Sequence, residues 1–123
     1  MLYYEDLTGK ILGALIKVHK KLGPGHYEET YQKAASHELR IRGLRFKEQV
    51  PVKINYKGII AKRLRLDFLV ESKVIVELKA RKELTNIDKA QILAYLRTTN
   101  TKVGLLVNLG RKRVQRFDLL KKD

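Results

Sequence analysis

The stretch Leu64-Arg65-Leu66-Asp67-Phe68-Leu69-Val70-Glu71-Ser72-Lys73-Val74-Ile75-Val76-Glu77-Leu78-Lys79-Ala80 decides how the rest of the chain is read. Two apolar runs, Leu64–Val70 and Val74–Ala80, flank the connection Glu71-Ser72-Lys73, a pattern that predicts an antiparallel hairpin. Side chains alternate along a strand, so Glu77 and Lys79 share one face while Val74, Val76 and Leu78 take the other. Pairing Val70 with Val74 sets Asp67 opposite Glu77 on the same face, and a slip of one residue would separate them. Charged groups in apolar strands cost desolvation energy unless they are compensated. A divalent metal would compensate both acids, so the pattern points to metal-dependent phosphodiester chemistry.

Outward from this hairpin, the pattern predicts an α/β fold in the order α-α-β-β-β-α-β-β, a mixed sheet flanked by helices. Leu7, Ile11, Ala14, Leu15, Val18 and Leu22 recur at helical spacing behind Glu5 and Asp6. Gly23-Pro24-Gly25 ends that helix. A second helix is expected from about Tyr27 to Arg42, closed by Gly43. Phe46–Tyr56 reads as a strand, Lys57-Gly58 as a turn, and Ile59–Val70 as one long or bent strand. A third helix is expected over Ile87–Arg97, a buried strand over Val103–Asn108, and a last strand over Val114–Leu119 after the basic turn Gly110–Arg113.

With 123 residues and no repeat or internal boundary, residues 1–123 are expected to form one domain. Without cysteine the chain has no disulfide, thiolate zinc site or cysteine-held iron–sulfur cluster. No signal peptide or bilayer-length apolar run is visible, so no membrane association and a cytoplasmic location are expected. Lys and Arg number 27 against 13 Asp and Glu, a formal charge of +14. Such a field attracts polyanions, and nucleic acid is the expected partner, with binding that weakens as salt rises. The plainer alternative is a generic basic surface.

Further polar residues fall at suggestive positions. Glu28 and Glu29 open the second helix, where both favour the positive end of the dipole. Glu28 also shares the apolar stripe with Tyr31, Ala35 and Leu39, whereas Glu29, Lys33, Ser36 and Arg40 fall on the wet side. An inward carboxylate at Glu28 needs a partner, and a metal-bound water would serve. Gln91 and Tyr95 lie one turn apart on the third helix, either as a satisfied polar pair or as a phosphate donor and its support. His19 suits the negative end of the first helix.

At these residues the chain resembles a known family. Gly25-His26-Tyr27-Glu28-Glu29-Thr30-Tyr31 fits Gly-x-x-Glu-x-x-Tyr, the motif that names the GxxExxY proteins of the PD-(D/E)XK nuclease superfamily. Leu22-Gly23-Pro24-Gly25, Gln49-Val50-Pro51, Tyr56-Lys57-Gly58, Gln91 with Tyr95-Leu96, and Gly104-Leu105-Leu106-Val107-Asn108 extend the resemblance over nearly the whole chain. It implies a restriction-endonuclease-like core with a metal site. Asp67, Glu77 and the Leu78 carbonyl would hold Mg²⁺, or Mn²⁺ as a substitute, and Lys79 would be the catalytic lysine. Glu28 corresponds to a helix-borne acid, and Gln91 with Tyr95 to the Gln-x-x-x-Tyr element of RecB-like exonucleases. Tyr31 and His19 are supporting residues. Asp88 departs from the family, which often has histidine there.

The resulting expectation is a metal-dependent nuclease acting on DNA. Arg63, Arg65, Lys82, Lys89 and Arg97 are candidate phosphate contacts, each equally readable as a solvated charge. The competing readings are a non-catalytic nucleic-acid-binding module whose acids pair with Arg65 and Lys79, a protein adaptor, or a small dimeric resolvase of branched DNA. Specificity would come from DNA structure, a homodimer or a protein partner.

Overall fold

The computed structural model describes residues 3–122. Its elements are α1 (Glu5–Leu22), α2 (Glu28–Ile41), β1 (Phe46–Tyr56), β2 (Ile59–Val70), β3 (Val74–Lys79), α3 (Asn86–Thr99), β4 (Val103–Asn108) and β5 (Gln115–Leu120). The expected order holds, with shifted ends at α3 and β5. Thr85 and Asp88 form a reciprocal capping box, which starts α3 at Asn86, and Asn100 in the left-handed region stops it after Thr99. No helix among the described residues is long and apolar enough to cross a membrane.

The strands form one five-stranded sheet in the order β1-β2-β3-β4-β5. β1, β2 and β3 run as an antiparallel meander, α3 carries the chain across to β4, which lies parallel to β3, and β5 returns antiparallel. β4 is buried along its whole length, as its continuous apolar run requires of a strand covered on both faces. On one face α1 and α2 bring Ile11, Leu15, Tyr31 and Leu39 against Phe68, Val76, Leu105 and Val107. On the other, α3 brings Ile92 and Leu96 against Ile75, Leu66 and Leu106. Gly104 lets α3 come this close, since a Cβ there would meet Ile92 Cγ2 at 2.7 Å.

The first hairpin crosses between these layers. Phe46, Phe68 and Val70 pack in the α1/α2 core, whereas Val50, Val52, Leu64 and Leu66 pack on the α3 side. In a regular strand, residues two apart would stay on one face. The exchange occurs at Gln49 in β1, where φ is +49°, and at Asp67 facing it in β2. The pairs Glu48↔Phe68 and Val50↔Leu66 keep the same register on either side. The strand read as long or bent is bent, and the bend falls on the acid.

Two turns fix what surrounds that bend. Between α1 and α2 the buried Tyr31 hydroxyl donates to the Gly23 carbonyl at 2.6 Å and accepts from the His26 amide at 3.3 Å. This bolt explains the spacing of Gly25, Glu28 and Tyr31: the glycine (φ +99°) turns the chain, and the tyrosine anchors the helix whose first residue is Glu28. After β3, the fully buried Asn108 accepts from the Arg81 and Gly110 amides and donates to the Arg81 carbonyl. Gly110 lies against this turn so closely that a Cβ would sit 2.5 Å from the Arg81 nitrogen and 2.6 Å from the Ala80 carbonyl carbon. Backbone cannot yield as a side-chain tip can. Gly110→Ala is therefore expected to destabilise the protein by about 2 kcal/mol or more, lowering the melting temperature in circular dichroism by roughly 5–10 °C; an unchanged melting curve would show that the turn is free to move.

Candidate active site

β2 and β3 pair at Val70↔Val74, Leu69↔Ile75 and Phe68↔Val76, and one further step brings Asp67 opposite Glu77. There the strands part, and side chains replace the ladder. The Asp67 amide donates to Glu77 Oε1 at 3.0 Å, and the Leu78 amide donates to Asp67 Oδ2 at 2.8 Å. Each carboxylate thus satisfies a main-chain donor that the divergence would otherwise orphan. These bonds leave Asp67 Oδ1 and Glu77 Oε2 outside the main-chain contacts. Lys79 follows on the Glu77 side of the strand, and its charge acts on both acids.

The pair is held against its own electrostatics. Glu77 is 6% exposed. Burial first, and the Asp67 charge second, push its carboxyl up to about 8, against the lowering effect of the Asp67 amide and Lys79. Burial also raises Asp67, opposed chiefly by the Leu78 amide. Among the described residues the ion pairs are Arg42–Glu38, Arg45–Glu71 and Arg81–Asp88. Neither central acid has a basic partner within ion-pair distance, so the expected alternative of pairing with Arg65 and Lys79 does not occur.

A cleft of about 180 Å³ opens beside Asp67, lined by Glu28, Glu29, Gln32, Gln49, Asp67 and Leu78, while Glu77 lies behind it. The structure corrects the reading of Glu28 as an inward-facing acid. Tyr31, Ala35 and Leu39 of that stripe are buried, but Glu28 is exposed, because the first turn of α2 overhangs the cleft rather than the core. Glu29 lines the cleft too, and Ser36, assigned to the wet side, is buried. Gln32 and Gln49 were not anticipated. Gln32 Nε2 donates to the Asp67 carbonyl at 3.2 Å, and Gln49, facing Asp67 from the neighbouring strand, helps hold the Asp67 carboxyl down. Neutral amides carry no charge signature; the one available signal was a polar Gln49 ahead of Val50 and Pro51.

On the α3 side, Tyr95 is half-buried, and burial with the Glu77 charge raises its hydroxyl, which places it beside the acid. Gln91 is exposed one turn earlier. His19 does not join the site: its Nε2 contacts the Arg111 carbonyl at 2.6 Å, so it donates there and braces the β4–β5 turn. Tyr31 supports the site only through the α1–α2 bolt. Asp88 is turned inward as a cap. Burial works to raise its carboxyl, but the Thr85 amide and Arg81 outweigh this and hold it below the ordinary range. Of the basic candidates, Lys82 and Arg97 are exposed, Lys89 Nζ lies 3.8 Å from the Phe117 ring centroid, and Arg63 and Arg65 are exposed on β2.

A family profile for the PD-(D/E)XK nuclease superfamily matches residues 5–118. The chain belongs to the PD-(D/E)XK nuclease superfamily. The mixed sheet with its flanking helices is consistent with the restriction-endonuclease-like fold of that superfamily. A crystal structure of the protein SSO0001 matches with a TM-score of 0.60 and 20% identity over 96% of this chain, a likeness of fold. This chain spans 59% of that chain's length. No curated protein matches the sequence.

PD-(D/E)XK nucleases generally use divalent metal ions, and the donor set here fits one. Carboxylate oxygens and a strand carbonyl are hard ligands of the kind magnesium and manganese prefer. The raised acids are a second sign of fit, because a bound cation would relieve the repulsion that raises them. Among the described residues no group of three or more acidic or histidine side chains gathers as a metal cluster. Asp67, Glu77 and the Leu78 carbonyl are the groups that could hold such an ion.

The raised acids set a pH dependence. Glu77 moves from 4.5 unfolded to about 8 folded, so across that window the folded state holds more protons than the unfolded one. Stability must then fall as pH rises, with the penalty absent below the lower value and complete above the upper, on the order of several kcal/mol. Raised Asp67 acts in the same sense. Metal-free protein is expected to melt at a lower temperature at pH 8 than at pH 5.5, and Glu77→Gln should flatten this slope and melt higher than wild type at pH 8. Calorimetry in chelator checks this; a wild-type melting temperature that climbs over the same range would contradict a raised Glu77 carboxyl.

Proposed function

We propose that the protein is a metal-dependent nuclease that hydrolyses phosphodiester bonds in DNA, with Mg²⁺, or Mn²⁺ in its place, held by Asp67, Glu77 and the Leu78 carbonyl. The observation that carries this reading is the crossed pair of carboxylates at the point where β2 and β3 part, with Lys79 on the Glu77 side and Asp67 lining a cleft. The superfamily membership and the GxxExxY resemblance support it.

The metal, when bound, supplies positive charge to the scissile phosphate and lowers the pKa of water. Lys79 Nζ, on the Glu77 side, orients the attacking water and neutralises charge that builds on the phosphate oxygens. The water oxygen forms the new bond to phosphorus, the bond to the leaving sugar oxygen breaks, and a proton ends on that oxygen. Glu28 holds water at the mouth of the cleft. Gln91, exposed above Tyr95, donates its amide to a phosphate oxygen, and Tyr95 keeps Glu77 in place. Gln32 and Gln49 fix the Asp67 backbone and carboxylate.

Isosteric changes at the two acids test the site because they retain acceptors for the Asp67 and Leu78 amides, and Lys79→Ala removes the ammonium. Asp67→Asn, Glu77→Gln and Lys79→Ala should each lower the rate of Mg²⁺- or Mn²⁺-dependent DNA cleavage by about 100-fold or more while DNA binding and folding persist. Linear, circular, single-stranded and branched substrates should be compared in a gel assay. Cleavage that survives in all three variants, or in excess chelator, would refute the assignment.

A further inference from the structure

Most of β2 runs beyond β3. Only residues 68–70 pair with β3, while residues 59–66 pair with β1 alone, as a two-stranded ribbon closed by Lys57 and Gly58, both with positive φ. One face of this ribbon is accounted for: Val50, Val52, Leu64 and Leu66 pack on the α3 side. The opposite face is not. Lys53 pairs directly across from Arg63, and Pro51 directly across from Arg65. Residues directly opposite share a face, and like charges there are unfavourable. Lys53, Arg63 and Arg65 are all exposed, and none is in any of the ion pairs among the described residues. Residues 47–65 hold Lys47, Lys53, Lys57, Lys62, Arg63 and Arg65 against the single acid Glu48. A groove of about 300 Å³ is lined by Pro51, Lys53, Arg63 and Arg65 together with Val52 and Leu64 between them.

Folding gains nothing from this charge arrangement, and a polyanion would relieve it. We infer that the outer face of the β1–β2 ribbon, through Lys53, Arg63 and Arg65, is a docking surface for the backbone of B-form duplex DNA, which it leads into the acidic site. This rests on the nuclease reading and names its substrate form. Dimensions favour a duplex: residues 59–67 extend about 30 Å at ~3.3 Å per residue, close to the roughly 34 Å of one helical turn. An A-form RNA duplex sets its phosphates across a deep, narrow major groove, so the same face meets a different backbone spacing there. Arg65 lies two residues, or about 7 Å of strand, from Asp67. A phosphate held by Arg65 therefore leaves its near neighbour at the carboxylates.

The test measures binding without cleavage. Fluorescence anisotropy is read in chelator, in an Asp67→Asn background, with a DNA duplex of about two helical turns and an RNA duplex of equal length. The triple change Lys53→Ser, Arg63→Ser, Arg65→Ser should weaken DNA binding at least about tenfold and lower the slope of log affinity against log salt by about 2–3. Its melting temperature should equal or exceed the parent's. A control triple on the exposed side of α1, Lys10→Ser, Lys17→Ser, Lys20→Ser, should bind within about twofold of the parent, and the RNA duplex should bind more weakly than DNA. Unchanged DNA binding in the ribbon triple, equal loss in both triples, equal affinity for RNA, or no DNA binding by the parent would each overturn the inference. The two proposals separate in wild type with Mn²⁺. Cleavage that is indifferent to the ribbon triple leaves the nuclease reading standing and removes the ribbon; ribbon-dependent binding without any cleavage does the reverse.

Discussion

Two strands that part in a protein interior each leave main-chain donors without partners, and that constraint organises this molecule. At Asp67 and Glu77 the missing ladder is replaced by reciprocal side-chain bonds, each acid accepting an amide from the opposite strand. The acids therefore do structural work where they are best placed for chemistry. Their geometry is set by the sheet rather than by the rotamers of free surface chains. The cost is a buried pair of like charges, visible in the raised carboxyls. A site of this kind is stable when protonated or when a cation lies between its oxygens, and strained otherwise, which couples occupancy to folding.

The remainder of the structure holds that junction open and in register. The bend at Gln49 steers the β1–β2 ribbon away from β3, so the strands cannot close. Tyr31 and Gly23 fix the end of α2 that roofs the cleft. Asn108, Gly110 and the Arg81–Asp88 pair clamp the chain just beyond Lys79. These contacts come from β1, α2, β4 and α3 and surround the junction of β2 and β3 from its two sides and its end. Buried polar groups such as Asn108 stay in the interior because each finds its partners there.

The sequence made the strand and helix order legible because its apolar spacing changes period at each element, and the hairpin register followed from a short connection between two apolar runs. Asp67 and Glu77 could be placed together on that basis alone. What the sequence hid is equally specific. Glu28 lies on a helical stripe, but a stripe says which side faces inward and not where the core ends, so its exposure at the overhanging first turn was invisible. The exchange of faces at Gln49 and Asp67 breaks the two-residue rule that makes strands readable at all. His19 finds its partner in Arg111, far away in the chain, where no local pattern could have pointed.

That exchange of faces also bears on why the basic residues lie where they do. Before the bend, the even-numbered side chains of β1 and β2 belong to the α1/α2 core; beyond it they turn to the α3 side and leave the odd-numbered ones outside. Lys53, Arg63 and Arg65 are odd-numbered, and the bend is what delivers them to solvent as one face. Without it the ribbon would present that face toward a different layer, and Arg65 would no longer lead into Asp67 along a continuous outer surface. A single backbone irregularity thus sets two properties at once: it opens the strands so that carboxylates must fill the gap, and it turns the adjoining charge outward. The acidic site and the basic ribbon are consequences of the same local geometry, so a change that straightened the strand at Gln49 would be felt in both.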